Sequence, residues 1–280
     1  MEDGLYVVAT PIGNLDDVTR RAVDALRDAE VVYAEDTRRT GRLLEAVGAR
    51  GPLRSLHEHN EARRTEEILE RLAEGAPVAL VSDAGTPSVS DPGTRVVAAA
   101  DAAGHAVSPV PGASAVTAAL SVSGLPADRF VFLGYPPRSG GERQAWMGDL
   151  EASTLTAVAF ESPRRLEALL AELEERGLGE RTCALCREMT KRFEEVRRDS
   201  VAGLLAQLEG REVKGEVTLV LEAGEERGPD VSPDAVRAAA RKLLEAGAST
   251  RDVADHLREA YGLSRNAAYD LALETAGGGG

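Results

Sequence analysis

Short apolar runs alternate with amphipathic stretches over the first 110 or so residues. Leu5-Tyr6-Val7-Val8-Ala9, bounded by Pro11 and Gly13, predicts a buried strand. Ala22, Val23 and Leu26 then recur at helical spacing, with Asp17 or Thr19 placed to cap that helix. The alternation continues with a strand over 31–34, a helix carrying Leu43, Leu44 and Val47, and a weak strand at Ser55-Leu56-His57. Asn60 is placed to cap a helix with Ile68, Leu69 and Leu72 inward, followed by a strand over 78–81 and a helix over 96–103. A strand beginning at Ala106 ends at Val110-Pro111-Gly112. Nearly continuous apolar strands separated by helices predict a parallel sheet covered on both faces. Ligands of such sheets bind beyond the carboxyl ends of the strands.

A second α/β unit begins after Gly112. Helices are expected over 114–122, 142–150, 166–173 and 200–208, and strands over 130–133, 155–160, around Cys183, over 193–196 and over 217–221. The strands near Cys183 and Phe193 lack a crossover helix between them, so this sheet should be mixed. The expected organisation is an α/β domain over 1–111, a second α/β domain over 112–224 with a cleft between them, and a polar linker over 225–233. A small helical domain over 234–276 and a glycine tail over 277–280 complete it. The terminal helices around Gly262 are compatible with a helix-turn-helix and equally with a plain helical cap or dimer arm.

Composition narrows the class. The 280 residues are 43% hydrophobic and 29% charged, which suits a globular fold. No window approaches the roughly 18 apolar residues of a membrane span. Met1-Glu2-Asp3-Gly4 lacks an apolar signal region, so a cytoplasmic protein is expected. Lys and Arg number 33 against 47 Asp and Glu, a net charge of −14, so any contact with nucleic acid requires a local basic patch. Cys183 and Cys186 form one C-x-x-C with no second ligand pair nearby. In a strand the two point to opposite faces, which predicts inert core thiols and no metal.

Three loops at strand ends carry candidate chemistry. Ala9-Thr10-Pro11-Ile12-Gly13-Asn14 is neither a G-x-G-x-x-G nor a Walker loop, and Pro11 removes a backbone donor, which disfavours phosphate cradling by those routes. The segment from Val81 to Gly93 is too long and too rich in small residues for a bare connector, and predicts a ligand loop. Val110-Pro111-Gly112-Ala113-Ser114-Ala115 leads into a helix N-terminus. Polar clusters flank them: Glu35-Asp36-Thr37-Arg38-Arg39, His57-Glu58-His59-Asn60-Glu61, Arg187-Glu188-Met189-Thr190-Lys191 and Lys214-Gly215-Glu216. Asp36 and Asn60 read either as helix caps or as site groups.

These segments, in order from Thr10-Pro11-Ile12-Gly13-Asn14-Leu15 through Ser82-Asp83-Ala84-Gly85-Thr86-Pro87 to Lys214-Gly215-Glu216, resemble the ribosomal RNA small subunit methyltransferase I family. Its members are 16S rRNA cytidine 2′-O-methyltransferases within the tetrapyrrole methylase superfamily. The resemblance implies two α/β domains of the tetrapyrrole methylase type, S-adenosylmethionine in the cleft, a homodimer, and 16S rRNA or the small ribosomal subunit as partner. It implies cofactor contacts at Pro11, Ile12, Asp83, Ala84, Gly85, Thr86, Val89, Ser114, Ala115, Phe160 and Glu161. Precorrin methylases resemble Gly-Asp-Pro where this chain has Gly85-Thr86-Pro87, which suits the rRNA branch.

A ribose 2′-hydroxyl must be deprotonated as it attacks a methyl sulfonium, by a base or with cationic help. Glu35, Asp36, His59 and Glu188 are base candidates, and Lys191 and Lys214 are candidate stabilisers or phosphate contacts. Arg38, Arg39, Asn60 and Arg187 are candidate RNA contacts. The patch should comprise Arg38, Arg39, Arg42, Arg187, Lys191 and Lys214 around one cleft mouth. Two alternatives stand beside this one: a tetrapyrrole methylase acting on a small molecule, and a non-catalytic RNA-binding protein that kept the fold.

Overall fold

The structure, a computed structural model, describes residues 2–224 and 233–277. Residues 225–232 of the expected linker and the last three residues of the tail lie outside the described residues, while Pro233 opens a helix. The chain divides into two compact units, 1–223 and 224–280.

In the larger unit the first sheet contains β1 (Gly4–Val8), β2 (Val31–Ala34), β3 (Leu53–Ser55), β4 (Pro77–Val81) and β5 (Val107–Val110). They lie in the order β3-β2-β4-β1-β5, all parallel. Helices α1 (Arg20–Asp28) and α2 (Thr37–Ala46) cover one face, where Ala22, Leu26, Leu43 and Leu44 pack on Val8, Val32 and Val81. Helices α3 (Glu61–Ala73) and α4 (Thr94–Ala102) cover the other, where Ile68, Leu72 and Val96 meet Leu5, Tyr33 and Leu80. The change of face follows from handedness. The chain steps one way from β1 to β3 and back from β3 to β5, and right-handed crossovers then place the later helices opposite the earlier ones.

The third strand lies two residues earlier than the expected 55–57, over Leu53–Ser55, so only Ser55 of the expected segment belongs to it. The third strand ends at Ser55, and only the Leu56 N–H continues the ladder, donating to Ala34 O at 2.7 Å. His57 begins a turn closed by Asn60 N–H on His57 O at 2.9 Å. Leu56 is apolar because it is buried in the core, not because it continues the strand.

The second sheet contains β6 (Phe130–Phe132), β7 (Thr156–Glu161), β8 (Thr182–Arg187), β9 (Glu195–Ser200) and β10 (Val217–Leu221), ordered β6-β7-β10-β8-β9. Only the β6–β7 pair is parallel, so the sheet is mixed as expected. Strand β9 starts two residues later than predicted, because 190–193 form the turn that reverses the chain after β8. One face carries α6 (Gly140–Ala152), α7 (Pro163–Leu173) and α8 (Val201–Leu208) through Met147, Leu150, Leu169, Leu170 and Leu204. The other carries α5 (Ala115–Ser123) through Val116, Ala119 and Leu120. Each buried leucine contributes about 1.5–3 kcal/mol by leaving water. Cys183 belongs to the first of these clusters and Cys186 to the second, on opposite faces of β8.

The smaller unit holds α9 (Pro233–Glu245), α10 (Thr250–Tyr261) and α11 (Arg265–Gly277) around Val236, Val253, Leu257, Ala268 and Ala272. A capping box between Ser249 and Asp252 starts α10, and Gly262, at φ +65°, ends it.

Candidate active site

Because the first sheet is parallel, the loops after β1, β2, β4 and β5 leave from a single edge, and hydrogen bonds stitch them together. Thr10 and Gly85 exchange backbone N–H···O bonds of 2.8 and 3.0 Å. The Thr10 hydroxyl donates to Ser82 O at 3.2 Å, and the Thr86 hydroxyl donates to Ala113 O at 3.3 Å. The Asp36 N–H donates to Asp83 Oδ1 at 2.8 Å, while Asp83 Oδ2 lies 3.7 Å from the Arg39 guanidinium.

A cavity of about 240 Å³ opens at this edge. The first sheet's loops line it with Ile12, Glu35, Arg39, Asp83, Ala84, Gly85, Thr86, Val89, Ser90 and Asp91. The start of α5 supplies Ser114, Ala115 and Val116, and the second sheet supplies Tyr135, Phe160, Glu216, Val217 and Thr218. A neighbouring cavity of about 280 Å³ shares Ile12, Arg39, Asp83, Ala84 and Glu216, and adds Thr10, Pro11, Gly13, Leu15, Arg42, Leu43 and Lys191.

Carboxylates dominate the electrostatics of the first cavity. Burial, reinforced by repulsion from Asp83, holds the Glu35 carboxyl above its ordinary range. Burial pushes Asp91 up to about 6, with Glu35 and Asp83 adding repulsion and a Ser82 hydrogen bond opposing. The Tyr135 phenol is raised by burial and then by Glu216 and Asp91. Such a pocket favours a ligand carrying positive charge.

Lys191 closes the second cavity. Its ammonium donates to Glu188 Oε1 at 2.8 Å and Glu216 Oε2 at 2.9 Å, and the Glu216 N–H donates to Glu188 Oε1 at 3.0 Å. Burial alone would raise the Glu188 carboxyl, but the Lys191 and Glu216 hydrogen bonds pull it below its usual value. Burial opposes the charge on Lys191, yet its two carboxylate partners raise it. Two glycines permit this closeness. A Cβ on Gly13 would overlap the Lys191 methylenes and reach 2.8 Å from Thr190 Oγ1. One on Gly215, where φ is +94°, would overlap the Glu188 carboxylate. Among the described residues four non-glycines hold positive φ: Ser88, Ser90, Glu188 and Thr190. All four sit in the two loops that shape these cavities, where strain of about 1–3 kcal/mol per residue is held by the surrounding contacts.

Residues 4–205 match the family described as Tetrapyrrole (Corrin/Porphyrin) Methylases. A ribosomal RNA small subunit methyltransferase I from Micromonospora olivasterospora is 43% identical over 98% of this chain and 88% of its own. The protein of the same name from Escherichia coli O157:H7 is 42% identical over 98% of this chain and 96% of its own. The chain belongs to the ribosomal RNA small subunit methyltransferase I family. It is a methyltransferase of the tetrapyrrole methylase fold. The crystal structure of a uroporphyrin-III-C-methyltransferase from Thermus thermophilus superposes with a TM-score of 0.57 at 26% identity, covering 78% of this chain and 94% of that one.

For this methyltransferase, the residues expected to form the site separate into two groups. Pro11, Ile12, Asp83, Ala84, Gly85, Thr86, Val89, Ser114, Ala115, Phe160, Glu35, Arg39 and Lys191 line one or both cavities. The others do not line either cavity, Glu188 among them although it pairs with Lys191. The Glu161 side chain is fully buried, accepts the Ser162 N–H at 2.6 Å and pairs with Arg165 at 2.7 Å. Asp36 caps α2 and is held below its usual value first by the Arg38 side chain, which extends into solvent. His59 is exposed and packs edge-on against His57. Asn60 offers no cap bond to α3. Its Oδ1 accepts the His57 N–H and its Nδ2 donates to Ser55 O, so it braces the turn. Arg187 pairs with Glu195 and donates to Lys214 O. Lys214 pairs with Glu212 and lines a different cavity. Of the six residues expected in the basic patch, Arg39, Arg42 and Lys191 line the second cavity, and Arg38, Arg187 and Lys214 do not line it.

The sequence reading missed Asp91 and Tyr135. Asp91 lies inside the loop already read as ligand-binding, and its signal is an acid locked before Pro92-Gly93. Tyr135 follows Gly134 and precedes two prolines just beyond β6, and it lines the cavity with about half its surface exposed.

Proposed function

We propose that the chain transfers a methyl group from S-adenosylmethionine to the 2′-hydroxyl of a cytidine ribose in 16S rRNA of the small ribosomal subunit. The carrying observation is full-length similarity to ribosomal RNA methyltransferases, joined to an acidic cavity at the carboxyl edge of a parallel sheet. The residues fit the cofactor. Ile12, Val89, Val116 and Phe160 provide apolar walls for a flat base, and Glu35, Asp83, Asp91 and Glu216 suit a cation. When bound, S-adenosylmethionine supplies an electrophilic methyl group on a sulfonium. Pro11, Ile12, Ala84, Gly85, Thr86, Ser114, Ala115 and Phe160 would hold it, with Asp83 tying the loop after β4 to the loop after β2 and Glu161 buried beside Phe160 at the end of β7.

Glu35 is the base candidate this geometry favours. It lines the cavity with its carboxyl held above its ordinary range by burial, the direction that favours a general base. Asp36 and Glu188 are committed to Arg38 and Lys191, and His59 stands apart. Arg39, Arg42 and Lys191 would meet RNA phosphates, leaving Arg38, Arg187 and Lys214 for outlying contacts. Domains over 1–111 and 112–224 with the cofactor between them, assembly as a homodimer and a cytoplasmic setting belong to the same reading.

The test is transfer of labelled methyl from S-adenosylmethionine to small subunits from a strain lacking this protein, followed by nuclease mapping. Label on a cytidine 2′-oxygen is expected. Transfer to a porphyrinogen but not to RNA would establish the small-molecule alternative, toward which the Thermus thermophilus structure points.

A further inference from the structure

The helical unit has a surface feature that its core does not require. A cavity of about 810 Å³ lies between α10 and α11, lined by Arg251, Ala254, Asp255, Arg258, Arg265, Asn266, Tyr269 and Asp270. Arg251, Asp255 and Arg258 recur at i, i+4 and i+7 on α10, while Arg265 and Tyr269, and Asn266 and Asp270, are i,i+4 pairs on α11. The core residues Val253, Leu257, Ala268 and Ala272 lie on other positions of the same helices. Arg258 pairs with Asp255 at 3.3 Å. Tyr269 leaves 48% of its surface exposed at the groove.

We infer that this groove binds a single-stranded stretch of RNA. The inference rests on the reading that RNA is the substrate. Three arginines against two aspartates line the groove, which gives it a small positive balance in a chain of net charge −14. The groove is not uniformly basic, and its mixture decides the form of nucleic acid. A duplex is held mainly through its phosphates and favours an unbroken positive face. A single strand exposes base faces and edges. Tyr269 offers a stacking surface, Asn266 an amide for base edges, and Asp270 and Asp255 acceptors for exocyclic amino groups. Arg251 and Arg265 remain for phosphates. On this view the helical unit raises the affinity of the whole chain for its substrate without entering the chemistry.

The test uses the full-length chain and two probes of one sequence, an unstructured RNA oligonucleotide and its duplex, with naked 16S rRNA and assembled small subunits as further ligands. The double variant R251S/R265S is expected to bind the single strand about tenfold more weakly, with the slope of log affinity against log salt reduced by about 0.7 per arginine. Its cofactor affinity and its kcat at saturating RNA should match the parent, so the defect appears in KM alone. Tyr269→Ala should weaken single-strand binding several-fold and Tyr269→Phe, which keeps the ring, should restore it. Unchanged RNA affinity in R251S/R265S, with native circular dichroism, overturns the inference. So does equal loss for single strand and duplex, and so does a loss confined to assembled subunits, which would mark a protein partner. If the parent methylates RNA and the variants share its KM, only the groove is wrong; if the parent methylates no RNA, the proposed function itself fails.

Discussion

Asp83 accepts the backbone N–H of Asp36 at 2.8 Å, so a carboxylate from the loop after β4 holds the loop after β2. Its other oxygen faces Arg39. The two loops carry Glu35, Arg39, Ala84, Gly85 and Thr86, and one side chain therefore sets the spacing of two walls of the cavity. Asp83→Ala is expected to weaken S-adenosylmethionine binding roughly tenfold to a hundredfold, the scale of one lost hydrogen bond to a charged group. Asp83→Asn, which keeps an acceptor for Asp36, should lose less. Titration calorimetry decides, and a Kd for Asp83→Ala within twofold of the parent would show that the loops hold without it.

Gly13 and Gly215 are expected to tolerate no side chain, for the steric reason already described. Gly13→Ala would displace the Lys191 stem, and Gly215→Ala would displace the Glu188 carboxylate that Lys191 grips. Both variants should remain folded, with a modest fall in Tm, and lose at least tenfold in kcat/KM. A variant with normal turnover would show that the Lys191 clamp is dispensable.

The raised carboxyl of Glu35 fixes the direction of the acid limb in a pH profile. A base acts only when deprotonated, so kcat should rise with pH through a value above the ordinary glutamate range. Glu35→Gln is expected to lower kcat by about 10²–10⁴ and to erase that limb. A kcat within about threefold of the parent excludes Glu35 as the base.

Asp91 makes a separate prediction about stability. Its folded value of about 6 lies above the ordinary 3.8, so the native state binds its proton more tightly than the unfolded chain does. The stability this contributes is present below the unfolded value and is lost as pH rises through the folded one. Asp91→Asn, which stays neutral, should therefore gain in Tm relative to the parent between about pH 4 and pH 6 and hold that gain above it. Thermal melts across that range test the sign, and a difference that does not vary with pH would refute it.

The two cysteines should behave as core residues. Burial pushes the Cys186 thiol up to about 11 and raises Cys183 as well, and the two face opposite sides of β8. Neither is expected to react with a thiol reagent until the chain unfolds, and Cys183→Ala with Cys186→Ala should leave methyl transfer intact while lowering Tm. Rapid modification of the native protein would contradict this placement.

The strands and helices of the first sheet were legible because apolar periodicity reports burial directly. Leu5 to Val8, Val31 to Ala34 and Val78 to Val81 are apolar throughout since helices cover both faces of their sheet. The same logic misplaced the third strand, where Leu56 is buried without being paired as a strand, since hydrophobicity records the first property and not the second. The ligand loops were legible from their small residues and breaks, and their convergence followed from parallel strands sharing one edge. Tertiary structure alone decided which charged residues meet. Sequence spacing places Arg38 and Arg39 side by side, yet successive helical positions point about 100° apart, so Arg39 faces Asp83 and Arg38 faces solvent. Lys191, Glu216 and Gly13 lie far apart along the chain and are brought together by two separate sheets. The protonation of Glu35 and Asp91 likewise depends on burial by residues distant in sequence, which no local pattern encodes.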